Sequence, residues 1–181
     1  MKRHLLLSCL LAGLWAACAP QAPLPIVRTV ESVELVTSRG TLLTSEEMTG
    51  SPWVVNFIFT SCRMACPLMT ERMHRLYDDS PDAVRFLSVS TDPDVDTVER
   101  LHEYAGALAV DEERWVFGRA ALEEARRLSE KEFLLGAEMF PAGHSQRFVL
   151  LDANRRIRGY YDSAAPEELA KLRSDLDEIL P

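Results

Sequence analysis

Two cysteines carry most of the chemistry this chain could perform. Cys62 and Cys66 stand in Cys62-Arg63-Met64-Ala65-Cys66-Pro67, where a β-favourable run gives way to a helical pattern. Four residues apart on a helical turn, they would share one face with Cβ atoms roughly 5–6 Å apart. That is within reach of one shared metal or of a disulfide. A helix N-terminus favours the thiolate, because unpaired N–H groups and the helix dipole stabilise negative charge there, and Arg63 adds to this. The thiolate is the competent form for both exchange and ligation. Exchange pairs are commonly separated by two residues. Three intervening residues weaken a pure oxidoreductase reading and leave room for a soft metal, Cu(I) or zinc.

A third donor would be needed to hold Cu(II). His74 falls within the helical pattern that follows the cysteines and His102 within a later one, so both read as surface or boundary residues. His144 differs, lying in the loop Phe140-Pro141-Ala142-Gly143-His144-Ser145 just before a strand. Loops that feed strand ends often carry functional residues. Asp92, in an Asp-Pro turn after a buried-type strand, is a candidate for docking or for supporting the site, with turn formation as the plain reading. Met64 and Met139 are thioethers close in sequence to these residues, and packing is the simpler role for each.

The elements that must position these groups follow from pattern. Val30–Val36 and Thr41–Leu43, around the turn Ser38-Arg39-Gly40, read as an N-terminal hairpin. Trp53–Phe59 is an almost continuous apolar run, the mark of a strand buried on both faces. A helix is expected from the cysteines to about Tyr77, a second buried strand over Val84–Ser90, and a helix over Thr97–Ala109. A short strand at Trp115–Phe117 and a helix over Ala120–Phe133 follow. Arg147–Leu151 and Ile157–Tyr161 flank the hairpin signal Asp152-Ala153-Asn154, and Pro166 opens a last helix to about Ile179. The order predicts an α/β domain: a thioredoxin-like fold with a mixed central sheet flanked by helices, plus the added N-terminal β-hairpin.

Length and charge bound the rest. The 181 residues, 47% hydrophobic and 27% charged, suit one domain with a short leader, not two full domains. A formal net charge of -8 argues against non-specific nucleic-acid binding. Lys2, Arg3 and His4 precede the apolar stretch Leu5–Trp15, and small residues then lead to Cys18. This is similar to a bacterial lipoprotein signal, with residues 1–17 removed and Cys18 lipidated. A plain signal peptide cut near Ala17–Ala19 and a retained signal anchor are the alternatives. Losing Lys2 and Arg3 would make the mature chain two charges more acidic, and only Cys62 and Cys66 would stay as thiols. Pro20, Pro23 and Pro25 suggest an extended tether over residues 18–29, ahead of a domain spanning 30–181. The expected location is extracytoplasmic, at the periplasmic face, held to the membrane by lipid.

Three segments in order, Phe57–Pro67 (FIFTSCRMACP), Leu87–Ala105 (LSVSTDPDVDTVERLHEYA) and Ala142–Tyr161 (AGHSQRFVLLDANRRIRGYY), resemble the Sco/SenC family of copper proteins. The likeness runs over about residues 30–178. It implies a thioredoxin-like fold and a copper site of Cys62, Cys66 and His144, with Pro67 completing the motif. It implies work in assembling the dinuclear copper centre of cytochrome c oxidase, with the copper-receiving subunit of that enzyme as partner. Ala142-Gly143 stand where that family often has a valine–aspartate pair.

Three readings follow. The first is an extracytoplasmic metallochaperone binding Cu(I) and Cu(II) through an open, exchangeable site. The second is a thiol-disulfide oxidoreductase in which Cys62 and Cys66 are the redox-active catalytic pair and keep a partner's cysteines reduced. Copper needs His144 and exchange does not. The third, a thiol peroxidase, lacks a clear supporting threonine and arginine around its cysteine.

Overall fold

Trp53–Ile58 is buried at every residue, which requires cover on both faces of the sheet it joins. A computed structural model describes residues 23–63, 65–136, 140 and 145–180; the leader and Cys18 lie outside the described residues. In chain order the elements are β1 (Arg28–Thr29), β2 (Glu34–Thr37), β3 (Leu42–Thr44), β4 (Trp53–Ile58), α1 (Ala65–Asp79), β5 (Arg85–Ser90), α2 (Val98–Leu108), β6 (Trp115–Arg119), α3 (Leu122–Arg127), β7 (Arg147–Leu151), β8 (Arg156–Asp162) and α4 (Pro166–Ile179).

The described strands form one 8-stranded sheet in the order β1-β8-β7-β4-β5-β6-β2-β3. β4, β5 and β6 run parallel, β7 joins β4 antiparallel, and β8 joins β7. The β2–β3 hairpin extends the sheet beyond β6. Alternation along β4 divides its side chains between two cores. Val54 and Ile58 pack with Met69, Met73 and Leu76 of α1, Leu101 and Ala105 of α2, and Leu172 and Leu176 of α4. Trp53, Val55 and Phe57 pack on the other face with Val30, Val33, Met48, Leu128 and Phe133. Full burial of each such side chain stabilises by about 1.5–3 kcal/mol. One buried polar chain crosses the centre: the Trp115 indole N–H donates to Ser88 Oγ at 2.9 Å, and Ser88 donates to Asn56 Oδ1 at 2.7 Å.

The helix ends follow local chemistry. Thr97 caps α2 by accepting from the Arg100 N–H at 3.2 Å, and Pro166 occupies the first turn of α4. The helix expected over 120–133 is different in kind. α3 stops at Arg127 and a wider π-helical turn follows over Leu128–Glu132. That turn lets Phe133 reach Phe57 with ring centroids 5.6 Å apart. It also lets Glu132 accept from Arg127 and from the Glu31 N–H, each at 2.9 Å.

The tether expected over 18–29 is packed against the domain from Leu24 onward. Leu24 is buried, Val27 N–H donates to Ile157 O at 2.9 Å and Val30 N–H to Arg155 O at 3.0 Å, and β1 pairs with β8. The prolines lack donors, but Val27 and Val30 supply them. Arg158 clamps the segment, donating to Leu24 O at 2.6 Å and Pro25 O at 3.0 Å while paired with Asp152 at 2.8 Å.

Arg158→Ala should cost about 1–3 kcal/mol, since it takes one of two cations from the buried Asp152, which keeps Arg156, and leaves the carbonyls of Leu24 and Pro25 without their donor. Urea unfolding measures the loss, and faster amide exchange at Val27 and Val30 should accompany it. Unchanged exchange there would show that the clamp does not hold the segment.

Candidate metal and thiol site

The parallel pairing of β4 and β5 sets the site. Ile58 lies opposite Ser90, and Thr91 N–H donates to Ile58 O at 2.8 Å. The loops after both strands therefore leave side by side, at the sheet end where ligands commonly bind in α/β folds. Asp96 joins them. Its carboxylate is wholly buried and accepts from Thr60 N–H at 3.2 and 3.3 Å, from Thr60 Oγ1 at 2.5 Å and from Ser90 Oγ at 2.6 Å. Arg100 Nε donates to Thr60 Oγ1 at 2.5 Å and stands 3.8 Å from Asp96. Asp92 lies on the same loop and accepts the Asp96 N–H on its own carbonyl at 2.8 Å. Burial raises its carboxyl pKa, and the nearby charges of Asp96 and Asp94 add to the rise.

Thr60 leads into the thiols. No disulfide joins Cys62 and Cys66. Cys62 lies in the loop and not on a helical turn, because α1 begins at Ala65. Their proximity therefore comes from capping: Cys66 N–H donates to Cys62 Sγ at 3.5 Å, the part a side-chain acceptor plays at a helix start. Cys62 is half-buried and Cys66 is buried. The expectation of a favoured thiolate fails for Cys66. Burial chiefly, and then hydrogen bonding to the Cys62 side chain, push its pKa up to about 12. At neutral pH a bound metal would take the place of that proton. Two adjacent sulfur donors are soft ligands, and they fit Cu(I) on the chemistry of the donor set.

Beneath the pair, Tyr104 OH and Thr70 Oγ1 share a hydrogen bond of 2.9 Å. Burial raises the tyrosine's pKa, and negative charge on Asp96, and on Cys66 and Cys62 once they ionise, adds to the rise. Pattern reading missed Asp96, Thr60, Thr70 and Tyr104. One signal was present: three acids, Asp92, Asp94 and Asp96, between a buried-type strand and Thr97.

His74 is turned to structure, with Nε2 at 2.9 Å from Leu108 O and Nδ1 at 3.3 Å from Asp78. His102 pairs with Glu112 at 2.8 Å. His144, Met64 and Met139 lie outside the described residues. Among the described residues no group of three or more His, Cys, Asp or Glu side chains could hold a metal. The described flanks of residues 137–144 do reach this end of the sheet. Phe140 packs on Phe57 with centroids 6.4 Å apart. Because β7 is antiparallel to β4, Arg147 at the start of β7 lies toward the end of β4.

Comparison with known proteins follows the same lines. A family model described as SCO1/SenC matches residues 25–179. A SCO1 protein homolog of Bacillus subtilis (strain 168) is 31% identical over 97 residues, 51% of this chain and 50% of that protein, so the match spans half the length of that relative. A putative copper-binding protein of Stutzerimonas stutzeri is 26% identical over 170 residues, 87% of this chain and 79% of that protein. Among solved structures, a SCO1/SenC family lipoprotein from Bacillus anthracis str. Ames superposes with a TM-score of 0.78 at 24% identity, covering 87% of this chain and 99% of that one. BsSco, described as a member of the Sco family of cytochrome c oxidase assembly proteins and as having a disulfide switch, superposes with a TM-score of 0.73 at 23% identity, covering 87% and 98%. These likenesses establish the thioredoxin-like fold.

Asp96→Ala should destabilise the chain by about 3 kcal/mol, because the Thr60 N–H and the Ser90 hydroxyl lose their buried acceptor. Urea unfolding measures this, and alkylation of Cys62 should accelerate severalfold as its loop loosens. In Cys62→Ser, Cys66 should stay protonated at pH 9, read by ultraviolet thiolate absorbance, because burial is the larger cause of its shift. A raised thiol pKa contributes stability below the ordinary value of about 8.5 and loses it as pH climbs toward the folded value. Urea stability of that variant should therefore fall from pH 9 upward, and a flat profile would contradict the assignment.

Proposed function

This chain belongs to the SCO1/SenC family, and from it we propose an extracytoplasmic copper metallochaperone that helps assemble the dinuclear copper centre of cytochrome c oxidase. The observation that carries the reading is the thiol pair itself: two adjacent sulfurs at the end of parallel strands, one half-buried and one buried. The relative named as copper-binding and the neighbour described as an oxidase assembly protein point the same way. Copper here is cargo. Cys62 and Cys66 take it as thiolates, so binding releases protons and tightens as pH rises. The cap geometry keeps both sulfurs together before metal arrives.

His144 is the proposed third ligand, needed for Cu(II) and dispensable for Cu(I). Its support is the placement of its neighbours, Phe140 against Phe57 and β7 against β4. An anchor at Cys18 would follow a cleaved signal over 1–17, with a tether from residue 18 to the packed Leu24 and a copper-binding domain beyond it. The described residues contain no helix long and apolar enough to cross a membrane, and a structural neighbour is described as a lipoprotein. The copper-receiving oxidase subunit is the proposed partner. A second reading, reduction of partner disulfides, has one feature in its favour: Cys62 is the more exposed sulfur and could attack, with Cys66 behind it to resolve.

Anaerobic copper titration of the reduced chain tests the assignment. One copper per chain is expected, with a thiolate charge-transfer band for Cu(II). His144→Ala should shift that band and weaken Cu(II) at least tenfold while Cu(I) is retained. Cys62→Ser or Cys66→Ser should abolish Cu(I) binding. If the unmodified chain binds no copper, thiol-disulfide exchange becomes the leading function.

A further inference from the structure

A groove of about 620 Å³ runs between α1 and α2, and Cys62 forms part of its wall. We infer that this groove is a docking surface for the partner that takes copper from Cys62, and that it receives an apolar side chain next to the partner's own copper ligands. The inference rests on the copper reading above and adds where and how the partner binds.

The thiol pair dictates the side of approach. Cys66 is buried and Cys62 half-buried, so an incoming ligand reaches the metal from the Cys62 side, where the groove opens. The groove is built into the fold. At its mouth Thr60 is held by Asp96. Across its floor the Thr70–Tyr104 hydrogen bond ties α1 to α2, and farther along His74 bridges to Leu108 O. A partner therefore meets a preformed surface and pays little ordering entropy.

Its chemistry identifies the occupant. Pro67, Tyr104, Ala107 and Leu108 supply apolar surface. The two formally charged side chains of its lining are matched to each other, Glu71 being paired to Arg75 at 2.5 Å. In a chain of net charge -8, this wall next to the thiol presents no excess of either sign. Charge attraction would demand a one-signed patch; an apolar contact does not. Exchange of metal needs the partner's soft ligand within bonding distance of Cys62, so the apolar group must lie close to that ligand in the partner.

The test uses the full chain in detergent and the soluble dinuclear-copper domain of a cytochrome c oxidase. Ala107 is exposed on α2, so Ala107→Glu places a charge in the groove without disturbing the core, and Leu108→Ser removes apolar surface. Glu103→Gln, on an exposed position outside the groove, is the control. Association is measured with the reduced, copper-free chain, and copper loading separately by the charge-transfer band. Both groove variants should weaken association at least tenfold and leave copper loading and the band unchanged. Raising salt from about 50 to 200 mM should change wild-type association less than twofold, against the steep dependence of charge-driven binding. Wild-type affinity in both variants, steep salt dependence, or no association of the unmodified chain would each overturn the docking surface. Loss of copper loading in the unmodified chain would instead overturn the copper reading. Self-association that the two variants abolish would assign the groove to a second copy of the chain and overturn the partner.

Discussion

Burial of one carboxylate holds the functional end of this protein together. Asp96 sits where β5 hands over to α2, and three donors converge on it, two from Thr60 after β4 and one from Ser90 at the end of β5. A buried carboxylate is tolerable only when hydrogen-bonded this fully. Removing any one of these donors would leave the buried carboxylate less fully compensated and cost stability. Thr60 is the donor that matters most for chemistry, since Cys62 follows it by two residues. The strand pairing, the aspartate and the thiol loop thus form one mechanical unit.

Within that unit the two sulfurs are unequal. Cys62 faces the groove and accepts a hydrogen bond from the helix it precedes, whereas Cys66 is enclosed and its ionisation is opposed by burial. For metal binding the inequality is useful. The buried sulfur is protected from adventitious oxidation while protonated, and the exposed one offers an incoming ligand a place to attack. The cost is proton release on loading, which couples metal affinity to pH.

The rest of the fold serves to keep this end fixed. Cover on both faces of β4 immobilises the strand that delivers the cysteines. Phe133 and Phe140 press on Phe57 near the end of that strand, so the flank of the segment carrying His144 is tied to the strand that leads to the thiols. At one edge of the sheet, Arg158 staples Leu24 and Pro25 to β8, which ties the segment ahead of β1 to the domain.

Much of this was legible in the residues. The almost continuous apolar run of β4 announced a strand buried on both faces, because alternation disappears when both faces are covered, and β5 read as a second strand of that type. Proline marked the start of the last helix, and the paired cysteines at a strand-to-helix junction marked the candidate site. These are local signals, carried by neighbours in the chain. Three things were not local. The helical-face geometry assigned to Cys62 and Cys66 was replaced by a cap, since the point where α1 begins depends on the loop's packing. The role of Asp96 depends on Thr60, thirty-six residues away. The raised pKa of Cys66 depends on what encloses it, and there burial outweighs the helix terminus. The sequence alone determined which elements form and which side chains could bind a soft metal. Only the tertiary structure decided which of them meet, because burial and register are set by residues distant in the chain.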